Sequence, residues 1–158
     1  MANLKSKFDI LRGWPQQSAV QEDFIIGGTS AGHKHHQGTW VSLGAAYTTT
    51  NEAMAAVDSS AAKKCFLVIE GRDDYSAQFA NRVTVLLGGG YVVRLDGDTA
   101  RVEVAQYTAG NFVAGSPVKI VNGVVALAAD AGDEAAGVII GTVLKYDANS
   151  KTLDVFVH

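Results

Sequence analysis

Cysteine occurs once in the 158 residues, so no disulfide can form within the chain and no cysteine-built zinc cage is available. The single thiol, Cys65, lies in the apolar run Cys65-Phe66-Leu67-Val68-Ile69 and reads as a small buried hydrophobe rather than a reactive group. Charge is also scarce and evenly spread. Thirteen Lys and Arg face sixteen Asp and Glu, and like charges never run longer than two residues, as at Lys63-Lys64 and Asp73-Asp74. Without a basic stripe to displace counterions, direct binding to nucleic acid is not expected. No apolar stretch approaches the roughly 18 residues a membrane helix needs, and no membrane partner is expected. Met1 to Trp14 mixes polar and apolar residues without a continuous hydrophobic segment, so it does not read as a secretory signal, and synthesis in the cytoplasm is expected.

Hydrophobic residues are plentiful at 47%, enough to bury a core and to argue against wholesale disorder. The chain divides into an N-terminal arm, 1–38, and a β-rich domain, 39–158. The arm carries Gly, Gln, Ser and His with spaced large anchors, among them Phe8, Leu11, Trp14 and Phe24, and holds no period for long. Pro15 biases Trp14 toward extended geometry. Those four anchors are the candidates for an interface, with packing on the chain's own domain as the alternative use.

Within the domain, Thr39 to Tyr47 reads as a strand. Thr49 with Glu52 forms a capping box before an Ala-rich run, which predicts a helix near 50–62. Cys65 to Glu70 has the length and composition of a buried strand. Asp73 or Asp74 is placed to cap a second short helix through Asn81. Residues 83–158 form a β module. Val83, Val85 and Leu87 alternate, Gly88-Gly89-Gly90 marks a bulge or bend, and Tyr91 to Leu95 resumes the strand. Asp96-Gly97 signals a turn, and Val102 and Val104 alternate with Arg101, Glu103 and Ala105 as a half-buried strand. Asn122-Gly123 between Val118–Val121 and Val124–Leu127 specifies a type I′ hairpin. Gly137 to Tyr146 and Thr152 to Val157 form two further strands around the turn Asp147-Ala148-Asn149-Ser150. The fold class is therefore mainly β, a small antiparallel barrel or sandwich with one or two short helices and an extended N-terminal arm.

The stretch GGTSAGHKHHQG, residues 27–38, offers the most tempting chemistry. Gly28-Thr29-Ser30-Ala31-Gly32 fits the G-x-S-x-G of a hydrolase elbow, but that motif needs a helix after the serine, and the glycine-flanked segment that follows is a poor helix. The only histidine beyond this loop is His158. A small hydrolase using Ser30 is thus the weaker alternative, and the reading is of a non-enzyme with no catalytic residues. His33, His35 and His36 could hold a metal loosely, yet no cysteine or carboxylate lies nearby to complete a site, so a polar loop is the better description. Gly88-Gly89-Gly90 leads into a strand rather than a helix and is no phosphate cradle. Asp130, Asp133 and Glu134 lack the spacing of a calcium loop and read as a solvated hairpin tip. No cofactor is implied.

The final stretch, AGSPVKIVNGVVALAADAGDEAAGVIIGTVLKYDANSKTLDVFVH at residues 114–158, resembles the small β modules of tailed-bacteriophage head decoration (capsid cement) proteins. The likeness lies in the Gly-Ser-Pro-Val entry to a strand, the Asn-Gly hairpin, the acidic loop, Gly137-Val138-Ile139-Ile140-Gly141, and a terminal strand alternating Leu153, Val155 and Val157. The resemblance implies a structural virion protein on the capsid exterior. It would bind the major capsid protein lattice as a homotrimer and stabilise the shell against internal pressure. Another trimeric virion component, such as a fibre or spike base, remains the alternative.

Overall fold

The computed structural model describes residues 9–12, 20–26, 38–46, 53–56, 64–70, 82–102 and 104–158, which form strands and one short helix. In chain order the strands are β1 (Asp9–Arg12), β2 (Val20–Ile26), β3 (Trp40–Ala46), β4 (Ala53–Ala56), β5 (Cys65–Glu70), β6 (Arg82–Leu87) and β7 (Tyr91–Asp96). After a long connection come β8 (Pro117–Val121), β9 (Val124–Leu127), the helix α1 (Asp130–Ala135), β10 (Gly141–Asp147) and β11 (Thr152–Val157). The protein is mainly β, as its turn-punctuated alternation predicts.

Two sheets result. Strands β2, β4, β3, β5 and β6 close into a five-stranded barrel, and β1, β7, β11, β10, β8 and β9 follow one another in a six-stranded sheet. All pairings between the named strands are antiparallel except β2 with β4. The described parts of the N-terminal arm lie within these sheets: β1 pairs with β7, and β2 pairs with β6 over six residues.

Period two explains how the two sheets share a core. Val41, Val68, Val83 and Val85 point into the barrel with Ala55. Their neighbours Trp40, Leu67 and Leu86 point out of the barrel and join Tyr91, Val93, Leu95, Leu153, Val155 and Val157 of the six-stranded sheet in one cluster. A strand apolar on both faces is a strand covered on both faces, and the unbroken apolar run Cys65–Ile69 and the adjacent buried pair Val85-Leu86 record this arrangement. Gly88-Gly89-Gly90 carries the chain from barrel to sheet. Gly88 and Gly90 have φ of 114° and 83°, and a Cβ on Gly89 would meet the His158 backbone at 2.0 Å. The predicted bend is confirmed, and each glycine has its own reason to be there.

Four local expectations are corrected. The helix expected near 50–62 is absent among the described residues of that span: Ala53–Ala56 is strand β4, paired with β2 and β3. Helix propensity is a weak prior that tertiary pairing overrides. Here Ala55 is fully buried with the valines of the barrel interior, and β4 joins β2 to β3. The described residues of the 101–105 segment, namely 101, 102, 104 and 105, are not strand. Val102 is buried, but Val104 is 49% exposed, and the Arg101 and Val102 N–H groups both donate to the Asp98 carbonyl in a tight turn. Local backbone bonds have taken the donors that a ladder would need.

The strand expected from Gly137 begins only at Gly141, with Val138 to Ile140 irregular before it. The acidic segment is helix α1 rather than a hairpin tip. Its end is a Schellman motif: Val138 N–H donates to Asp133 O, Gly137 N–H donates to Glu134 O, and Gly137 takes φ of 67°. The Asn-Gly hairpin forms as expected, with Asn122 and Gly123 at φ of 51° and 77°. The helix predicted near 73–81 and residues 50–52 and 57–62 lie outside the described residues.

Candidate binding groove

The alternation that buries Leu153, Val155 and Val157 turns Asp154, Phe156 and His158 to the opposite face of the sheet. On that face the Arg94 guanidinium grips the Asp154 carboxylate through two bonds, Nε to Oδ1 at 2.7 Å and Nη2 to Oδ2 at 2.8 Å. The two residues are direct cross-strand partners, so the pair is geometrically fixed by β7 and β11. Asp154 is only 7% exposed, and the fork satisfies both of its oxygens. Beside it stand Phe156 and Leu144, 37% and 42% exposed. Leu144 owes its position to a bulge: Val143 faces Val155 and Lys145 faces Asp154, leaving Leu144 without a partner in the register.

The same face continues into an open groove of about 510 Å³, lined by Pro117, Glu134, Ile139, Thr142 and His158 together with Gly115 and Gly137. Thr142 Oγ1 and His158 Nε2 are 3.0 Å apart, and the His158 ring packs against Phe156 at 5.5 Å between centroids. Both residues are held by backbone. Thr142 pairs with Phe156 across β10 and β11, and His158 N–H donates to Ile140 O at 2.9 Å. Gly141 precedes Thr142 because β10 and β11 come close there: a Cβ would lie 2.2 Å from Phe156 O. Glu134 reaches the groove from α1. Lys119 fixes the position of that helix by donating to Asp133 Oδ2 at 2.9 Å, and the same oxygen accepts the Ala129 N–H. These two bonds, the lysine first, hold the Asp133 carboxyl below the usual carboxylate range.

Chemically, the groove presents a hydroxyl, an imidazole and a carboxylate on a half-apolar floor. The Thr142–His158 contact is open to solvent. Hydroxyl nucleophiles draw their power from an orienting third group and a pocket that keeps water out. The arrangement is suited to hydrogen bonding a partner at its rim.

A second cluster closes the far end of the sheet. Arg101 forks onto Asp96 at 2.7 and 3.0 Å and contacts Asp98 at 3.3 Å, while Lys151 reaches Asp98 at 3.3 Å. Backbone donation from Ala100, then these cations, lowers the Asp98 pKa. The cluster is internally satisfied and serves to lock the turn after β7 against the turn before β11.

Of the residues singled out from sequence, Ser30, His33, His35 and His36 lie outside the described residues, as do Phe8 and Trp14. Leu11 lies in β1 at the irregularity between Ile10 and Arg12. Phe24 is half-buried and packs against the barrel core. Among the described residues no three His, Cys, Asp or Glu side chains gather to hold a metal ion, and no helix is long and apolar enough to cross a membrane. Thr142 joins Phe156 and His158 only through the pairing of β10 with β11, whereas the alternation of the last strand by itself places the latter two on one face. Comparison with family models, curated proteins and solved structures finds no match.

Proposed function

We propose that the protein is a structural component of a virion that attaches to the outer surface of an assembled phage capsid and stabilises it, acting by adhesion rather than by chemistry. The observation that carries this reading is the outward face of the six-stranded sheet. Phe156 and Leu144 stand exposed beside the fixed Arg94–Asp154 fork, on strands whose opposite face is packed against the barrel. An aromatic and an aliphatic anchor on a rigid sheet, bordered by polar groups, is the composition of a protein-binding surface. The resemblance of residues 114–158 to capsid decoration modules supports the same reading, since that stretch contributes β8 to β11 and the whole of the groove.

In this proposal the partner is the major capsid protein lattice and the working form is a homotrimer. Linked contacts within a trimer multiply modest individual affinities through effective concentration. The test is to incubate purified protein with undecorated heads and image the particles. A regular array at symmetry positions is the expected result. Random attachment, or none, overturns the proposal, and occupancy confined to a single vertex assigns the protein to a fibre or spike base instead.

A further inference from the structure

Among the described residues, two buried N–H donors end on no acceptor: Nε1 of the Trp40 indole and Nε2 of the Gln106 amide. The residues are 1% and 3% exposed. The Gln106 amide has a defined orientation, because its Oε1 accepts the Asp96 N–H at 2.9 Å while the Gln106 backbone N–H donates to Asp96 O at 2.9 Å. Its donor end therefore faces away from Asp96 and toward the barrel, where a Cβ on Gly38 would lie 2.4 Å from Nε2. Trp40 follows Gly38 by two residues.

Both residues also grip the same short stretch of the β8–β9 hairpin. Trp40 N–H donates to Gly123 O at 2.9 Å, and Gln106 O accepts the Val125 N–H at 3.1 Å. The two orphan donors thus belong to one seam, where β3 of the barrel meets the six-stranded sheet. Native interiors rarely leave such donors unmet, and the common remedy is an internal water making about three hydrogen bonds to polar groups it alone can satisfy.

We propose that an internal water bridges Trp40 Nε1 and Gln106 Nε2, its two lone pairs accepting one proton from each, as a polar link between barrel and sheet. The glycine at position 38 leaves room for the amide on which this link depends. The idea is independent of the capsid reading and concerns how the two layers are joined.

The test has two arms. A high-resolution crystal structure of the wild-type protein should show an ordered water within hydrogen-bonding distance of both nitrogens. In solution, the Trp40 indole N–H resonance, identified by its loss in Trp40→Phe, should give a direct cross-peak to long-lived water in a 15N-labelled sample. Absence of density between the two nitrogens overturns the proposal, as does a water touching only one of them or an indole N–H directed at an aromatic ring. The crystallographic arm uses wild-type protein alone, so a variant that fails to fold leaves the test intact.

Discussion

Replacing Gly97 by alanine isolates one packing contact from backbone strain in the folded protein. Gly97 is not among the glycines with positive φ, so an L side chain meets no intrinsic strain there. The obstacle is Tyr107: a Cβ at position 97 would lie 2.5 Å from its Cζ, 2.6 Å from Oη and 2.8 Å from Cε1. The ring has little room to retreat, since it meets Phe112 edge-on at 5.5 Å and Tyr146 edge-on at 6.1 Å, and its own backbone bridges to Val125. Relief must come from displaced backbone or a broken aromatic cluster, and overpacking of this kind costs about 1–3 kcal/mol. With a urea m-value of about 2 kcal/mol/M, a cost of about 2 kcal/mol lowers the denaturation midpoint by about 1 M.

The double-mutant cycle with Tyr107→Leu separates this cause from others. Removing the ring tip should make Gly97→Ala neutral, or stabilising by about 0.4–1 kcal/mol through reduced freedom of the unfolded chain. Tyr107→Phe should restore little, because Cζ remains in the way. An alanine that is harmless in the wild-type background, or equally costly in both, would refute the packing argument.

Gly123→Ala places a side chain at φ of 77° in the type I′ hairpin and should cost about 1–2 kcal/mol in thermal unfolding, while Asn122→Gly should be tolerated. The Asp133 carboxyl is held low by Lys119 and by the Ala129 N–H, so its contribution is complete above the ordinary aspartate value of about 3.9 and lost as pH falls through the depressed one. Asp133→Asn should therefore flatten the acid limb of a plot of urea midpoint against pH. Burial foremost, with Tyr146 and Asp96 nearby, pushes the Tyr107 hydroxyl up to about 12. The stability linked to this proton is intact below the ordinary tyrosine value of about 10 and lost as pH rises through about 12. Phenolate absorbance should show a late-titrating tyrosine that disappears in Tyr107→Phe. Leu95→Ala, at a fully buried position between the two layers, should cost about 2–5 kcal/mol.

What could be read from sequence alone was whatever depends on neighbours in the chain. Asn122-Gly123 demands two positive φ angles from two adjacent residues, and Cys65–Glu70, Tyr91–Asp96 and Thr152–Val157 carry length, composition or alternation that needs no partner to recognise. The same local logic failed where a partner decides. Ala53–Ala56 has the composition of a helix and becomes a strand because β2 and β3 offer it backbone partners and a narrow barrel interior. Val104 alternates correctly with Val102 yet lies exposed, because Arg101 is drawn back onto Asp96 and the turn at Asp98 takes the Arg101 and Val102 N–H groups.

The candidate groove was invisible for a related reason. Thr142 and His158 are sixteen positions apart, and only the pairing of β10 with β11 brings them within a hydrogen bond. Periodicity told which side chains leave a strand on the same side. Which sheet receives them, and hence which face is left to meet a partner, was decided by packing between residues distant in the chain.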